Sequence, residues 1–363
     1  MIGQQLGNYR ILRQLGKGGM AGVFVGEHAV LGHEVAVKIL HPQFLEDERM
    51  RQRFLNEART VARLEHPSIV EVYDFGYTDS GGGYIVMKRL EGQSLRDRLE
   101  TGSIELDTAL ELTRQVARAL QVAHDGGVVH RDLKPDNIFL VRDPETRCGE
   151  RAIVLDFGLA KHVEVEGGVA RGGMAAELTG SGFVVGTPAY MSPEQCRGSD
   201  ELDRRSDIYS LGVVLFRMST GALPFDADNP GEMLGQHLFV EAPSALNLRP
   251  DLPRALDHLL RRCLAKHPDD RFATMNELIA GLALDAQAAP VSKRDQATAA
   301  LRKPAAAAAS PAALPAPRGD DATMPASRVD PAPPAPEPTD EIAPIRRSWL
   351  GPALALVLLG GAA

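Results

Sequence analysis

The sequence predicts an α+β enzyme of two lobes with a cleft between them, and three observations carry that prediction. Strand-like alternation set off by glycines fills the first part of the chain, a single helical periodicity interrupts it, and helical patterns fill the rest to about residue 282. Val23 and Val25, then His33, Val35, Val37 and Ile39, and later the run Tyr84 to Met87 give short strands of an antiparallel sheet. Phe54, Ala58, Val61 and Leu64 recur at helical spacing, and His66-Pro67 is expected to end that helix, because proline lacks a donor and restricts the residue before it. Asp107 is placed to cap a further helix in which Leu110, Ala117, Leu120 and His124 share a face. An apolar helix follows Ser206 and Asp207 over residues 208–218.

Composition narrows the function classes. The 363 residues carry 40 Lys+Arg against 48 Asp+Glu, a net charge of −8, which argues against a nucleic-acid partner held on a broad basic face. With 44% hydrophobic and 24% charged residues the chain as a whole is not disordered. Cys148, Cys196 and Cys263 lie far apart without a C-x-x-C pair, so neither a disulfide framework nor a cysteine zinc site is expected. A reducing compartment fits the folded part. From Ala286 to Ser348 there is no aromatic residue, and prolines mixed with Ala, Asp and Glu read as an extended linker over 283–345. The start, MIGQQLGNYR, lacks the pattern of a signal peptide.

Two constellations carry chemistry. The first is the glycine-rich turn Gly16-Lys17-Gly18-Gly19 followed by Val23, where bare backbone N–H groups can approach phosphate oxygens, although a plain hairpin uses the same residues. Lys38 ends V-A-V-K on a strand, where an unpaired ammonium among apolar neighbours is costly, and Glu57 on the inward helix face is the carboxylate expected to pair with it. The second constellation is His130-Arg131-Asp132-Leu133-Lys134-Pro135-Asp136-Asn137, followed by Asp156-Phe157-Gly158. Asp132, Asn137 and Asp156 supply the hard oxygen donors and the proton acceptor that Mg²⁺ and a substrate hydroxyl require.

In this order, and joined by Gly186-Thr187-Pro188-Ala189-Tyr190 and Ser192-Pro193-Glu194, these motifs resemble the eukaryotic-like Ser/Thr protein kinases of bacteria, the Hanks type, over about residues 9–282. The resemblance implies an N-lobe over about 9–90 with an antiparallel sheet and one helix, and a mainly helical C-lobe over about 91–282. It implies ATP under the glycine loop, with Gly16, Lys17, Gly18 and Gly19 over the phosphates and Lys38, held by Glu57, on the α and β phosphates. Asp132 would accept the hydroxyl proton, Lys134 would touch the γ-phosphate, and Asn137 and Asp156 would hold Mg²⁺. Backbone groups of Lys88 and Leu90, after the gatekeeper position Met87, would meet the adenine edge, with Val23, Ala36 and Phe139 about its ring; the same side chains could equally be ordinary core. Asp207 would brace the catalytic loop and Arg271 would partner Glu194. Three departures stand out: Ala21 replaces the third loop glycine, the hinge Lys88-Arg89 is unusually basic, and Val141 to Arg151 reads as a hairpin insertion.

The resemblance also implies regulation. Arg131, before the base, would pair with a phosphate placed on Thr179 or Ser181, eight and six residues before Thr187, through self-association and autophosphorylation in trans; Thr187 itself would position the loop and substrate. Protein substrates are the expected partners. Arg346-Arg347-Ser348-Trp349 and the apolar run to Ala363 read as a membrane entry over 346–363, too short by itself to cross and so either the start of a transmembrane helix or a short tail anchor, with the kinase part on the cytoplasmic face. Two other functions share these features: a nucleotide-binding pseudokinase scaffold, disfavoured by filled catalytic positions, and a small-molecule phosphotransferase, disfavoured by the G-T-P-A-Y and S-P-E segments.

Overall fold

The computed structural model describes residues 1–17, 21–45, 48–157, 188–199 and 202–284. The expectations for Gly18, Gly19, Thr179, Ser181, Thr187, the Pro-rich linker and the apolar end lie outside the described residues, as do the side chains of Lys17 and Glu57.

Six strands form the antiparallel N-lobe sheet: β1 (Gln5–Leu6), β2 (Tyr9–Lys17), β3 (Ala21–His28), β4 (Glu34–Leu40), β5 (Val72–Tyr77) and β6 (Gly83–Lys88), in the order β1-β2-β3-β4-β6-β5. Residues directly opposed across an antiparallel pair share a face. The registers Val23↔Lys38↔Ile85 and Val25↔Ala36↔Met87 therefore gather Val23, Lys38, Ile85, Ala36 and Met87 on one side. Val35, Val37 and Ile39 point to the other, where they pack with Leu6, Tyr9, Ile11, Phe24, Tyr84 and Val86. Val37 and Ile39, adjacent to Lys38 in sequence, are thus not its surroundings. Its own face holds Ala21, Ala36, Leu40, Ile85 and Met87, closed by Phe54 and Ala58.

Phe54 and Ala58 belong to α1 (Glu48–Val61), whose inward stripe is the predicted one. The helix stops at Val61, before His66-Pro67, because its end tightens: the Arg63 and Leu64 N–H groups bond carbonyls only three residues back, at 3.2 and 3.0 Å.

The C-lobe opens with β7 (Gly92–Ser94) and α2 (Leu95–Glu100), which starts on a reciprocal capping box between Ser94 and Asp97. In α3 (Leu106–Asp125) the N-cap is Glu105, with no side-chain cap bond, and Asp107 lies inside the first turn, where its negative charge favours the helix dipole without capping it. Strands β8 (Ile138–Arg142) and β9 (Glu150–Val154) pair as a hairpin beside β7. The polar insertion forms its tip, closed by the Asp143 N–H on the Gly149 carbonyl at 2.9 Å and by the Arg151–Asp143 ion pair at 2.5 Å. Gln115 of α3 holds the hairpin from inside by accepting the Ala152 N–H at 2.8 Å.

Short α4 (Pro193–Cys196) precedes α5 (Arg205–Thr220), then come α6 (Pro230–Phe239), α7 (Arg254–Cys263) and α8 (Met275–Leu284). Within α5 every residue from Ser206 to Phe216 is buried, as expected of a helix at the centre of a lobe. Gly212 lets α7 approach, since a Cβ there would stand 2.5 Å from that of Cys263. Gly221 ends α5 in the left-handed conformation at φ 81°.

Candidate active site

The candidate catalytic constellation is centred on one end of the β8–β9 hairpin. Ile138 and Val154 are partners, and the Leu155 N–H donates to the Asn137 carbonyl at 2.9 Å, so Asn137 and Asp156 emerge at the same end of the hairpin. Asn137 ends a tight 3₁₀ turn from Pro135, and its side-chain amide donates to the Asp132 carbonyl at 2.8 Å and to Asp132 Oδ2 at 3.1 Å. Lys134 Nζ reaches the same Oδ2 at 2.9 Å. Asp132 is thereby fixed by two donors from its own loop. From the other lobe, Lys38 Nζ, on β4, lies 2.8 Å from Asp156 Oδ1, with the lysine side chain 13% exposed.

Behind this loop stands Asp207, in the first turn of α5 and 1% exposed. Oδ2 accepts the His130 N–H at 2.8 Å and Oδ1 the Arg131 N–H at 2.9 Å, while His124 Nε2 lies 2.8 Å from Oδ2. Burial alone would push this carboxyl up, but the His124 hydrogen bond, the nearby imidazoles and the His130 N–H together hold it below the usual carboxylate range. The position is a brace rather than a helix cap, which falls at Arg204. Arg131 adopts φ 62° and Asp156 φ 47°, left-handed conformations that non-glycine residues hold only when their surroundings fix them. His130, fully buried, packs its ring 4.9 Å from Phe157 and bonds the Leu155 carbonyl through Nε2 at 2.8 Å, joining the catalytic loop to the Asp156 segment.

The Glu194–Arg271 pair is bidentate, at 2.7 and 2.8 Å, and buried. The remaining guanidinium N–H groups donate to the carbonyls of Ala265, Arg205 and Lys266, so every donor of Arg271 is used. Ser206 Oγ adds a bond to Glu194 at 2.6 Å. Against the cost of burial, these bonds hold the Glu194 carboxyl below its ordinary value.

At the adenine region Ala36 and Met87 are buried together and Leu90 packs partly against them, while Val23 and Phe139 are only half-buried. The Lys88 N–H is taken by the Glu71 carbonyl at 2.9 Å, so a contact from Lys88 to a nucleobase has to come from its carbonyl. The basic hinge is offset, since Arg89 pairs with Glu34 at 3.0 Å and Glu91 at 3.2 Å. Ala21 is accommodated because its methyl is buried in the cluster with Leu40 and Ile85. Gly16 sits at the end of β2 opposite Val23, with open space where a side chain would be.

Residues beyond the sequence motifs also enter the site. His124 partners Asp207, and its only sequence signal is a polar residue on the apolar face of α3. Arg96 of α2 pairs with Asp136 at 3.0 Å on the rim of the catalytic loop, and nothing in the local pattern marks it.

The donor set fits a nucleotide and a hard cation. Asn137 spends its NH₂ on Asp132, which leaves the amide oxygen as its donor to a metal, and Asp156 supplies a carboxylate; Mg²⁺ commonly takes one or two protein carboxylates and completes its shell with water and phosphate.

Comparison with known proteins agrees with this geometry. A family model described as the protein kinase domain matches residues 9–280. Serine/threonine-protein kinase pkn2 of Myxococcus xanthus is 41% identical over 281 residues, covering 76% of this chain and 32% of that protein. PknH of Mycobacterium tuberculosis is 37% identical over 278 residues, 76% of this chain and 42% of its own length. The chain thus spans well under half the length of these two relatives. The crystal structure of the M. tuberculosis PknI kinase domain superposes with a TM-score of 0.61 at 28% identity, covering 79% of this chain and 98% of that one. With the family model running through both lobes and a solved kinase domain sharing their fold, the chain belongs to the protein kinase domain family.

Proposed function

We infer that this chain is a protein serine/threonine kinase that uses ATP and Mg²⁺ to phosphorylate hydroxyl groups of protein substrates. The observation that carries the reading is the joint fixing of Asp132 by Lys134 and Asn137, opposite the Lys38–Asp156 pair that spans the lobes. Asp132 takes the proton of the acceptor Ser or Thr hydroxyl. The substrate hydroxyl oxygen, freed of that proton, forms the new bond to the γ-phosphorus as the bond to the leaving diphosphate breaks. Lys134, already 2.9 Å from the base, holds positive charge where the transferred group gains negative charge. Lys38 would bind the α and β phosphates, and the Asp156 carboxylate, now its partner at 2.8 Å, would with Asn137 hold the cation. Mg²⁺ on these two residues supplies neutralisation of phosphate charge.

The test is phosphate transfer from labelled ATP to casein by the purified chain, followed by phosphoamino-acid analysis. Label on Ser and Thr, with Asp132→Asn reducing it at least about a hundredfold while nucleotide binding persists, supports the reading. Full activity in Asp132→Asn would refute the assignment of the base.

Two finer features belong to the same proposal. Thr179 and Ser181 are autophosphorylation sites whose phosphate pairs with Arg131, formed between two copies of the chain; mass spectrometry of active protein finding no phosphate between residues 159 and 187 overturns this. The kinase domain occupies 9–282 and is joined by the 283–345 linker to a membrane segment at 346–363, on the cytoplasmic face. Support comes from Arg346-Arg347-Trp349 ahead of an uncharged run. Among the described residues no helix is long and apolar enough to cross a membrane. Recovery of the full chain in the soluble fraction without detergent counts against the anchor.

A further inference from the structure

We propose that Gln195 is a positioning residue for the catalytic base, coupling the S-P-E segment to Asp132 by holding the carbonyl of Arg131. The inference rests on the phosphotransfer reading above and extends it to a residue outside the motifs that reading uses.

The peptide unit joining Arg131 to Asp132 is held at both ends. Its carbonyl accepts from Gln195 Nε2 at 2.5 Å, and its N–H donates to the His130 carbonyl at 2.8 Å. On the far side of the residue, the Arg131 N–H is held by Asp207. Arg131 needs this support because φ 62° is a conformation that a long side chain does not adopt unaided. The orientation of this peptide sets the direction in which the Asp132 side chain leaves the backbone, so a rotation here moves the base.

Gln195 is itself pre-set. It is 7% exposed, its Oε1 accepts the Ser192 N–H at 2.9 Å, and its own N–H meets Ser192 Oγ at 3.4 Å, a reciprocal capping box that begins α4. The carboxamide thus uses its oxygen on its own segment and its nitrogen on the catalytic loop. The segment is anchored on its other side to α5 and beyond, through Ser210 Oγ on the Tyr190 carbonyl at 2.8 Å and through the Glu194–Arg271 pair. Gln195 therefore passes the placement of the S-P-E segment to the base.

Two variants separate the two ends of the carboxamide. Gln195→Glu keeps an acceptor for the Ser192 N–H and loses the donor to Arg131; Gln195→Met keeps the volume and loses both. The expected result is that both lower kcat about ten- to a hundredfold, with the KM for ATP unchanged and with faster hydrogen exchange at the Asp132 amide. A wild-type kcat in Gln195→Glu beside an impaired Gln195→Met overturns the proposal and leaves Gln195 as a cap of α4. Wild-type kcat and wild-type exchange in both variants overturn it as well. Should the unmodified chain transfer no phosphate, the kinase reading fails, and exchange at Asp132 alone decides the role of Gln195.

Discussion

Lys38 on β4 and Asp156 after β9 form a 2.8 Å ion pair between the lobes, and the proposed function assigns the first to the nucleotide phosphates and the second to the cation. The pair satisfies the largely buried ammonium. It also holds ready the two charges that ATP and its cation would separate.

Lys38→Met removes the cation and leaves Asp156 without its partner. The expected outcome is loss of phosphate transfer by at least about a hundredfold with the fold retained, measured by labelled-ATP transfer alongside a thermal melt.

Asp207→Asn tests the brace. An amide at this position turns an NH₂ toward groups that are already donors, so at least one of the His130 and Arg131 N–H groups loses its acceptor. A fall in kcat of about tenfold or more is expected, together with faster exchange at the His130 and Arg131 amides. Unchanged exchange would show that the carboxylate is not what orders the loop.

Arg271→Ala leaves Glu194 charged and buried without its bidentate partner. Such a break costs about 3–5 kcal/mol, to be read from urea unfolding midpoints. The Glu194→Gln, Arg271→Ala double variant is expected to recover part of that loss, because the orphaned charge is then gone.

His237, fully buried in α6, contacts the Tyr209 hydroxyl through Nδ1 at 2.9 Å, with the Phe225 ring 4.9 Å away. Burial, reinforced by the Lys266 ammonium, lowers its pKa from 6.5 to about 4. The unfolded chain therefore takes up a proton near pH 6.5 that the folded chain refuses until about 4. The stability contribution is complete above 6.5 and is lost as the pH falls through this window, by about 3 kcal/mol at most. Urea midpoints at pH 4.5 and 7 are expected to show the loss in the wild type and a smaller one in His237→Asn.

Much of the site is legible in the sequence because its residues are close along the chain. Asp132, Lys134 and Asn137 meet within one loop, and the partners Ile138 and Val154 carry Asn137 and Asp156 to one hairpin end. The α1 stripe and the alternation of β3, β4 and β6 follow from the two backbone periods. Local pattern did less well at helix ends, at Val61 and Glu105, where hydrogen bonding in the last or first turn decides and no strong cap residue marks the place.

By itself, then, the sequence determined the α+β class, the order of the motifs and the chemical types at each catalytic position, since these depend on spacing and side-chain chemistry alone. Tertiary structure decided which distant groups meet. It gave Lys38 to Asp156, set Asp207 under two N–H groups more than seventy residues earlier in the chain, enclosed every donor of Arg271, and brought Gln195 to the carbonyl of Arg131. The reason is physical: periodicity specifies which face of an element is buried, but the partner of a buried polar group is fixed only when the packing of α3, α4 and α5 brings it within hydrogen-bond reach.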